Sequence, residues 1–315
     1  MKNRILSIAL CLCSTIFCAP AEEHTPGWDS PSAAKAYFHH SELQRQWAWE
    51  LLGKIHFTGS EKILDFGCGD GKISAELSRL VPKGSVTGVD ISSGMIDFAH
   101  IKFPSYAYPR LEFKKLKSPT FGDLAGSNEY DLICAFSVFH QITDPLTTLK
   151  NLLSHLRQDG KLIMIIPTGS SSAFFQAARE MFSHYQIEAP WNKNLSPEVI
   201  KMFTLEGCSS LLKEAGFEIA SMEMIDTDNP FYGEDELTDW LVGTMSPVWH
   251  IPVSVSRSFF KSLVQRMSEL DPSMTDDEGR IHFKFSRLRL VAVPPFEKAQ
   301  PYAYSKPELW LLFSD

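Results

Sequence analysis

The stretch EKILDFGCGDGKIS, residues 61–74, places Gly67, Gly69 and Gly71 within five positions, directly after the strand-like run KILDF. A strand that delivers its C-terminal end into such a turn, with a helix starting just beyond, is the ligand-binding corner of a doubly wound sheet. Gly67 permits a tight turn, Gly69 lets a ligand approach the backbone, and Gly71 lets the following helix pack close. A dinucleotide site has the form G-x-G-x-x-G and seats its pyrophosphate on the helix N-terminus. Here the third glycine arrives one residue early, Asp65 precedes the turn and Asp70 lies inside it. Carboxylates at that place repel a pyrophosphate and favour a cationic ligand.

Working outward, apolar strands alternate with amphipathic helices. KILDFG is followed by the helix DGKISAELSRLV, SVTGVD by SGMIDFAHIKF, and LEFKKL and YDLICAFS by DPLTTLKNLLSHLRQ and KLIMIIP. That alternation predicts a parallel sheet covered on both faces. Gly160 reads as the C′ glycine of the helix before KLIMIIP. Further on, TLEGCSSLLKEAGF reads as a helix, EIASMEMI as a strand and RIHFKFSRLRLVAVP as the last strand. Residues 169–205 and 228–279 interrupt the alternation as helical insertions, and residues 61–293 form one domain around them. The second strand ends in Asp90, 25 residues after Asp65, where a carboxylate accepts hydrogen bonds from ribose hydroxyls.

Residues 22–60 read as a helical segment, with Ser41 as N-cap of its second helix, and 294–315 as a tail whose ELWLLF docks on the body. Residues 1–21 combine a basic start (Lys2, Arg4), an apolar core and Ala19-Pro20-Ala21, the three parts of a cleavable signal peptide; the expectation is export. That apolar run is too short to cross a bilayer comfortably, so no stable membrane span is expected in the mature chain. Beyond the leader only Cys68, Cys134 and Cys208 remain, which is no disulfide framework, and no spacing of metal ligands occurs. A net charge of −8 disfavours nucleic acid as a partner. The one basic run, FKKLK at 113–117, reads as a solvated edge strand. Nothing in the sequence speaks to an oligomeric state.

Together these motifs resemble the class I S-adenosylmethionine-dependent methyltransferases: ILDFGCGDG the first motif, VTGVDISSGMIDFAH the second, YDLICAFSVFHQITDP the fourth-strand motif and LRQDGKLIMIIP the fifth. The resemblance runs from about Ser41 to Pro167, with LLKEAGFEI as a further piece. It implies an α/β fold: a doubly wound, mostly parallel seven-stranded sheet of Rossmann-like type with helical cap insertions. It also implies S-adenosylmethionine as cofactor, whose ammonium and sulfonium suit the acidic loop. By the resemblance Asp65, Gly67, Cys68 and Gly69 form the cofactor-binding loop, with Asp65, Gly67 and Gly69 contacting the methionine end; Cys68 reads as a small buried loop residue, not a nucleophile. Asp90 holds the ribose, Ile91 and Met95 flank the adenine, and Phe136 lines the methionine side. Many relatives carry an acid after the third strand for the adenine amino group. Lys117-Ser118 stands there instead, so that contact falls to Ser118 or to backbone.

The acceptor is expected to be a small molecule, because the fourth strand runs into AFSVFH and lacks the amino-methylating Asn/Asp-Pro-Pro-Tyr/Phe pattern. YFHHSELQRQWAWELL and WLVGTMSPVWHIP also resemble small-acid carboxyl methyltransferases of the trans-aconitate and juvenile-hormone-acid type. In that group a first-helix Gln and a Trp after the fourth-strand His are associated with the acceptor. Gln44 matches the first, while Gln141 stands where the Trp would be. His140 has two readings, a satisfied structural histidine or a substrate contact or base. Trp47, Trp49 and Trp249 read foremost as helix-face core. Two other functions stay open on the sequence: an exported binding protein that keeps the fold without catalysis, and a protein methyltransferase acting on a host target.

Overall fold

A computed structural model describes residues 27–122, 129–189 and 202–295. The leader at 1–21 and the tail from 296 lie outside the described residues. After a short turn at Gly27–Asp29 come two helices, α1 (Pro31–His40) and α2 (Glu42–Leu52). The alternation then runs β1 (Lys62–Phe66), α3 (Lys72–Leu80), β2 (Ser85–Asp90), α4 (Ser93–Lys102), β3 (Leu111–Lys115) and β4 (Tyr130–Phe136). It continues with α5 (Pro145–His155), β5 (Leu156–Ser170), α6 (Ser172–His184), α7 (Leu205–Ala215) and β6 (Glu218–Phe231). Two long helices, α8 (Glu234–Trp249) and α9 (Val253–Leu270), precede β7 (Ile281–Val293).

The seven strands form one sheet in the order β3-β2-β1-β4-β5-β7-β6. All pairings are parallel except those of β7, which runs antiparallel to β5 and to β6. The order reverses between β1 and β4, and the C-terminal ends of strands flanking such a switch leave a crevice for ligands. One apolar core lies under α5 and α7, and includes Leu64, Ile133, Leu149 and Leu212. A second lies under α2, α3 and α4, and includes Leu52, Ile63, Leu77 and Ala99. A third, rich in aromatic rings, binds α6, α8 and α9 to the far ends of β6 and β7. The insertion at 228–279 therefore sits at the tip of a long β6–β7 hairpin, paired from Glu218 opposite Val293 to Phe231 opposite Ile281 with one register shift between Ile219 and Ser221.

Ser92 and Asp144 cap their helices through Met95 N and Thr147 N. β3 is an edge strand, as FKKLK suggested. Asp131 serves the sheet end, accepting from Lys62 N and from Arg157.

Two readings are corrected. Gly160 is not a helix terminus: α5 stops at His155, and Gly160 lies inside β5, where a Cβ would stand 2.9 Å from the Tyr130 carbonyl oxygen. Its missing side chain serves strand packing rather than a left-handed cap. Ser41 does not cap α2 with its side chain; its hydroxyl donates to Asp70 Oδ2 at 3.0 Å. The hydroxyl oxygen that capping would use accepts instead from Lys72 Nζ, at 3.0 Å.

Candidate active site

The glycine turn is built by backbone bonds to the neighbouring strand. Gly67 N and Cys68 N both donate to the Val89 carbonyl, at 2.8 and 3.0 Å. All three glycines take positive φ, +75°, +52° and +78°. At Gly67 a Cβ would lie 2.5 Å from Val138, and at Gly71 it would lie 2.6 Å from Phe113. At Gly69 the nearest atom would be Tyr37 Cε1 at 3.6 Å, so the backbone there is open towards a ligand.

Asp90, at the end of β2, is locked in place: Oδ2 accepts from Gly69 N and Oδ1 from Ser92 N, each at 2.9 Å. Burial pushes its carboxyl up, and those amide bonds oppose the shift. Asp65 is buried and accepts from Ser74 Oγ at 2.5 Å. Burial lifts it to about 7, against the pull of Ser74. Asp70 is also pushed up by burial, but it is committed to Lys72 N and Ser41 and braces the α1–α2 corner. Two under-compensated carboxylates beside one open backbone make a place for a cation.

A cavity of about 580 Å³ opens here, in the range of small-molecule sites. Gly67, Gly69, Asp90, Ile91, Met95 and Phe136 line it, together with Gln44 and His140. Asp65 and Cys68 line a small annex of about 30 Å³, whose walls Gln44, Gly67, Gly69 and Phe136 share with the main cavity. Cys68 is buried and its thiol is pushed well up, so it stays protonated and is no nucleophile. Ser118 is the one expected residue absent from these walls. Its hydroxyl closes its own turn against Thr120, while Leu116 and Pro119 on either side line the cavity.

Other walls come from the segment before α2 and from the two helical insertions. Trp28 and Tyr37, edge to face at 5.2 Å, cover the β2 side. Phe174 and Phe175 come from α6, and Trp240, Met245, Val248 and Trp249 from α8. Trp47 and Trp249 are buried as core residues, as expected, yet both also face the cavity. Trp49 instead donates to Glu76. No local signal marks Trp28 as a site residue, and Trp240 is signalled only by the resemblance of WLVGTMSPVWHIP to the small-acid enzymes.

Three buried polar atoms in these walls have no hydrogen-bond partner among the described residues: Gln44 Oε1, His140 Nδ1 and Trp240 Nε1. Burial holds His140 down at about 4, so the ring is neutral near pH 7. Polar groups left buried and unpaired are costly, and in a cavity they are places for a ligand's polar atoms.

The chain is similar to known proteins. A family model described as a methyltransferase domain matches residues 37–222. A malonyl-[acyl-carrier protein] O-methyltransferase of Priestia megaterium is 28% identical over 203 residues, 61% of this chain and 70% of that one. A trans-aconitate 2-methyltransferase of Rhodopseudomonas palustris is 23% identical over 265 residues, covering 83% of this chain and 98% of its own. Among solved structures, Haemonchus contortus phosphoethanolamine N-methyltransferase 2, in complex with phosphomonomethylethanolamine and S-adenosylhomocysteine, shares the fold. It has a TM-score of 0.52 at 14% identity over 84% of this chain and 58% of that one. The residues present fit the cofactor of that class: Asp90 suits a ribose diol, the open Gly69 backbone and Asp65 a cationic amino acid end, and Ile91 and Met95 a flat base. A family match over more than half the chain, on a cavity of this chemistry, makes this chain a member of the S-adenosylmethionine-dependent methyltransferases.

Proposed function

We propose that the protein methylates the carboxylate of a small, largely apolar monocarboxylic acid. The observation that carries this is the set of unpaired buried groups in the cavity wall. Trp240 Nε1 can only donate, neutral His140 offers an N–H, and the Gln44 carboxamide offers either end by a flip. Two donors on different elements of one cavity wall suit an ionised oxygen acid. Around them the lining is Phe174, Phe175, Met245, Val248, Trp249 and Phe285, a surface for an apolar body. No Lys or Arg is among the described lining residues, so the additional carboxylates of a polyacid would be buried without counter-charge. The trans-aconitate and malonyl-acyl-carrier-protein enzymes above support an oxygen acid as acceptor in related chains.

When bound, S-adenosylmethionine supplies the electrophilic methyl group. The chain's task is alignment and exclusion of water. Gln44, His140 and Trp240 hold the acceptor oxygen, and the cap helices α6 and α8 close over it. A carboxylate is already ionised near pH 7, so no general base is required. The negative surface and the apolar pocket also argue against nucleic acid as acceptor.

The test is release of S-adenosylhomocysteine with a panel of aliphatic and aromatic monocarboxylic acids, di- and tricarboxylic acids, phenols and amines. Methyl esters of the apolar monoacids are the expected products. Turnover confined to polyacids, phenols, amines or macromolecules overturns the proposal.

A further inference from the structure

The turn after β4 carries a chain of hydrogen bonds that fixes more than position. The Trp28 indole N–H donates to Gln141 Oε1 at 2.9 Å. An indole has no acceptor, so this bond decides which end of the Gln141 carboxamide faces Trp28. The amide nitrogen is therefore the end turned to His140, and it lies 3.4 Å from Nε2. An amide N–H₂ only donates, so Nε2 accepts and, in a neutral ring, the proton sits on Nδ1. Nδ1 is the atom left buried with no partner among the described residues.

We propose that Trp28 and Gln141 act as positioning residues that set the tautomer of His140, leaving Nδ1–H as a fixed donor and withholding Nε2 from proton abstraction. Burial is the cause acting on the ring's protonation and keeps it neutral. Trp28 is itself held at the cofactor corner. Its carbonyl accepts from Ser92 Oγ at 2.8 Å, and the adjacent Asp29 carboxylate accepts from Ser93 N at 2.7 Å. The stretch before α1 thus ties the end of β2 to the histidine after β4, across 113 residues of sequence. A ring so fixed recognises an acceptor that arrives ionised and cannot activate one that must first lose a proton. This consequence for substrate rests on the proposed function, whereas the tautomer does not.

The experiment is imidazole nitrogen–proton correlation NMR on the full chain labelled with ¹⁵N-histidine. The His140 signals are identified by their loss in His140→Gln and by a ring that stays neutral at pH 5. The expected result is the Nδ1–H form, with Nε2 in the unprotonated range. In Gln141→Glu the side chain can only accept, so Nε2 is expected to move to the protonated range. Trp28→Phe releases the carboxamide, and the two tautomers should then exchange. An Nε2–H form in the wild type overturns the proposal with no variant needed, and so does a Gln141→Glu spectrum unchanged from wild type. Calorimetry with S-adenosylmethionine reports whether each variant keeps its cofactor corner. Should the acceptor panel fail while the Nδ1–H form is observed, only the carboxylate reading falls.

Discussion

Asp90 is the residue proposed to hold the ribose of the cofactor. Its oxygens already accept from Gly69 N and Ser92 N, so the carboxylate is aimed and immobilised before any ligand arrives. Asp90→Ala removes a charge-assisted pair of hydrogen bonds to the ribose and also unties the loop. Binding of S-adenosylmethionine should weaken by about 2–3 kcal/mol, on the order of 30- to 150-fold, read by titration calorimetry. Equal affinities of variant and wild type would remove Asp90 from the ribose. This residue was legible in the sequence because a strand end and a spacing announce it. Trp240 was signalled only by the resemblance of WLVGTMSPVWHIP, since helical spacing does not distinguish an indole facing a cavity from one facing core. Ser118 shows the converse: a polar residue at the expected place whose hydroxyl is spent on its own turn.

The glycine turn is the element that joins sequence to site. Its close approach to the β4 side is set from both directions. Ser137 takes a left-handed φ of +53°, which is costly for a residue with a Cβ, and the adjacent Val138 fills the space that a Gly67 side chain would need. Gly67→Ala meets both the strained φ of +75° and the Val138 contact at 2.5 Å. It should destabilise the protein by about 2–4 kcal/mol in denaturant unfolding. Gly279 has a φ of +76°, close to that of Gly67, and open space around it, so Gly279→Ala serves as the control for the backbone part. If the two variants cost the same, the Val138 contact carries no weight. The motif made this turn readable. What no periodicity disclosed was that the strand ending the cap hairpin, β7, would enter the sheet antiparallel, between β5 and β6.

Across the whole molecule, the two chain-distant ends of the described fold are joined at a buried arginine. Arg287 on β7 is fully buried, stacks over Trp47 with its guanidinium 4.9 Å from the ring centre, and pairs with Glu50 of α2, 237 residues away. Burial pushes this guanidinium below its ordinary range, and Glu50 opposes the shift. Helix α2 also carries Gln44 and Trp47, so the pair holds one wall of the cavity against the sheet. Glu50→Gln leaves a buried cation without its counter-charge and should cost about 1–2 kcal/mol in chemical denaturation, Glu50 being itself half-exposed. Unchanged stability would make the pair incidental. The sequence by itself determined the strand–helix alternation, the glycine corner and Asp90, because each is written in neighbouring residues through periodicity, turn conformation and strand-end placement. Only the tertiary structure decided which aromatic residues wall the cavity and that Arg287 meets Glu50. It alone decided that Trp28 reaches Gln141 and that the orphaned atoms of Gln44, His140 and Trp240 share one cavity. Those are pairings between segments far apart in the chain, fixed by packing across the sheet and cap, and no local pattern encodes them.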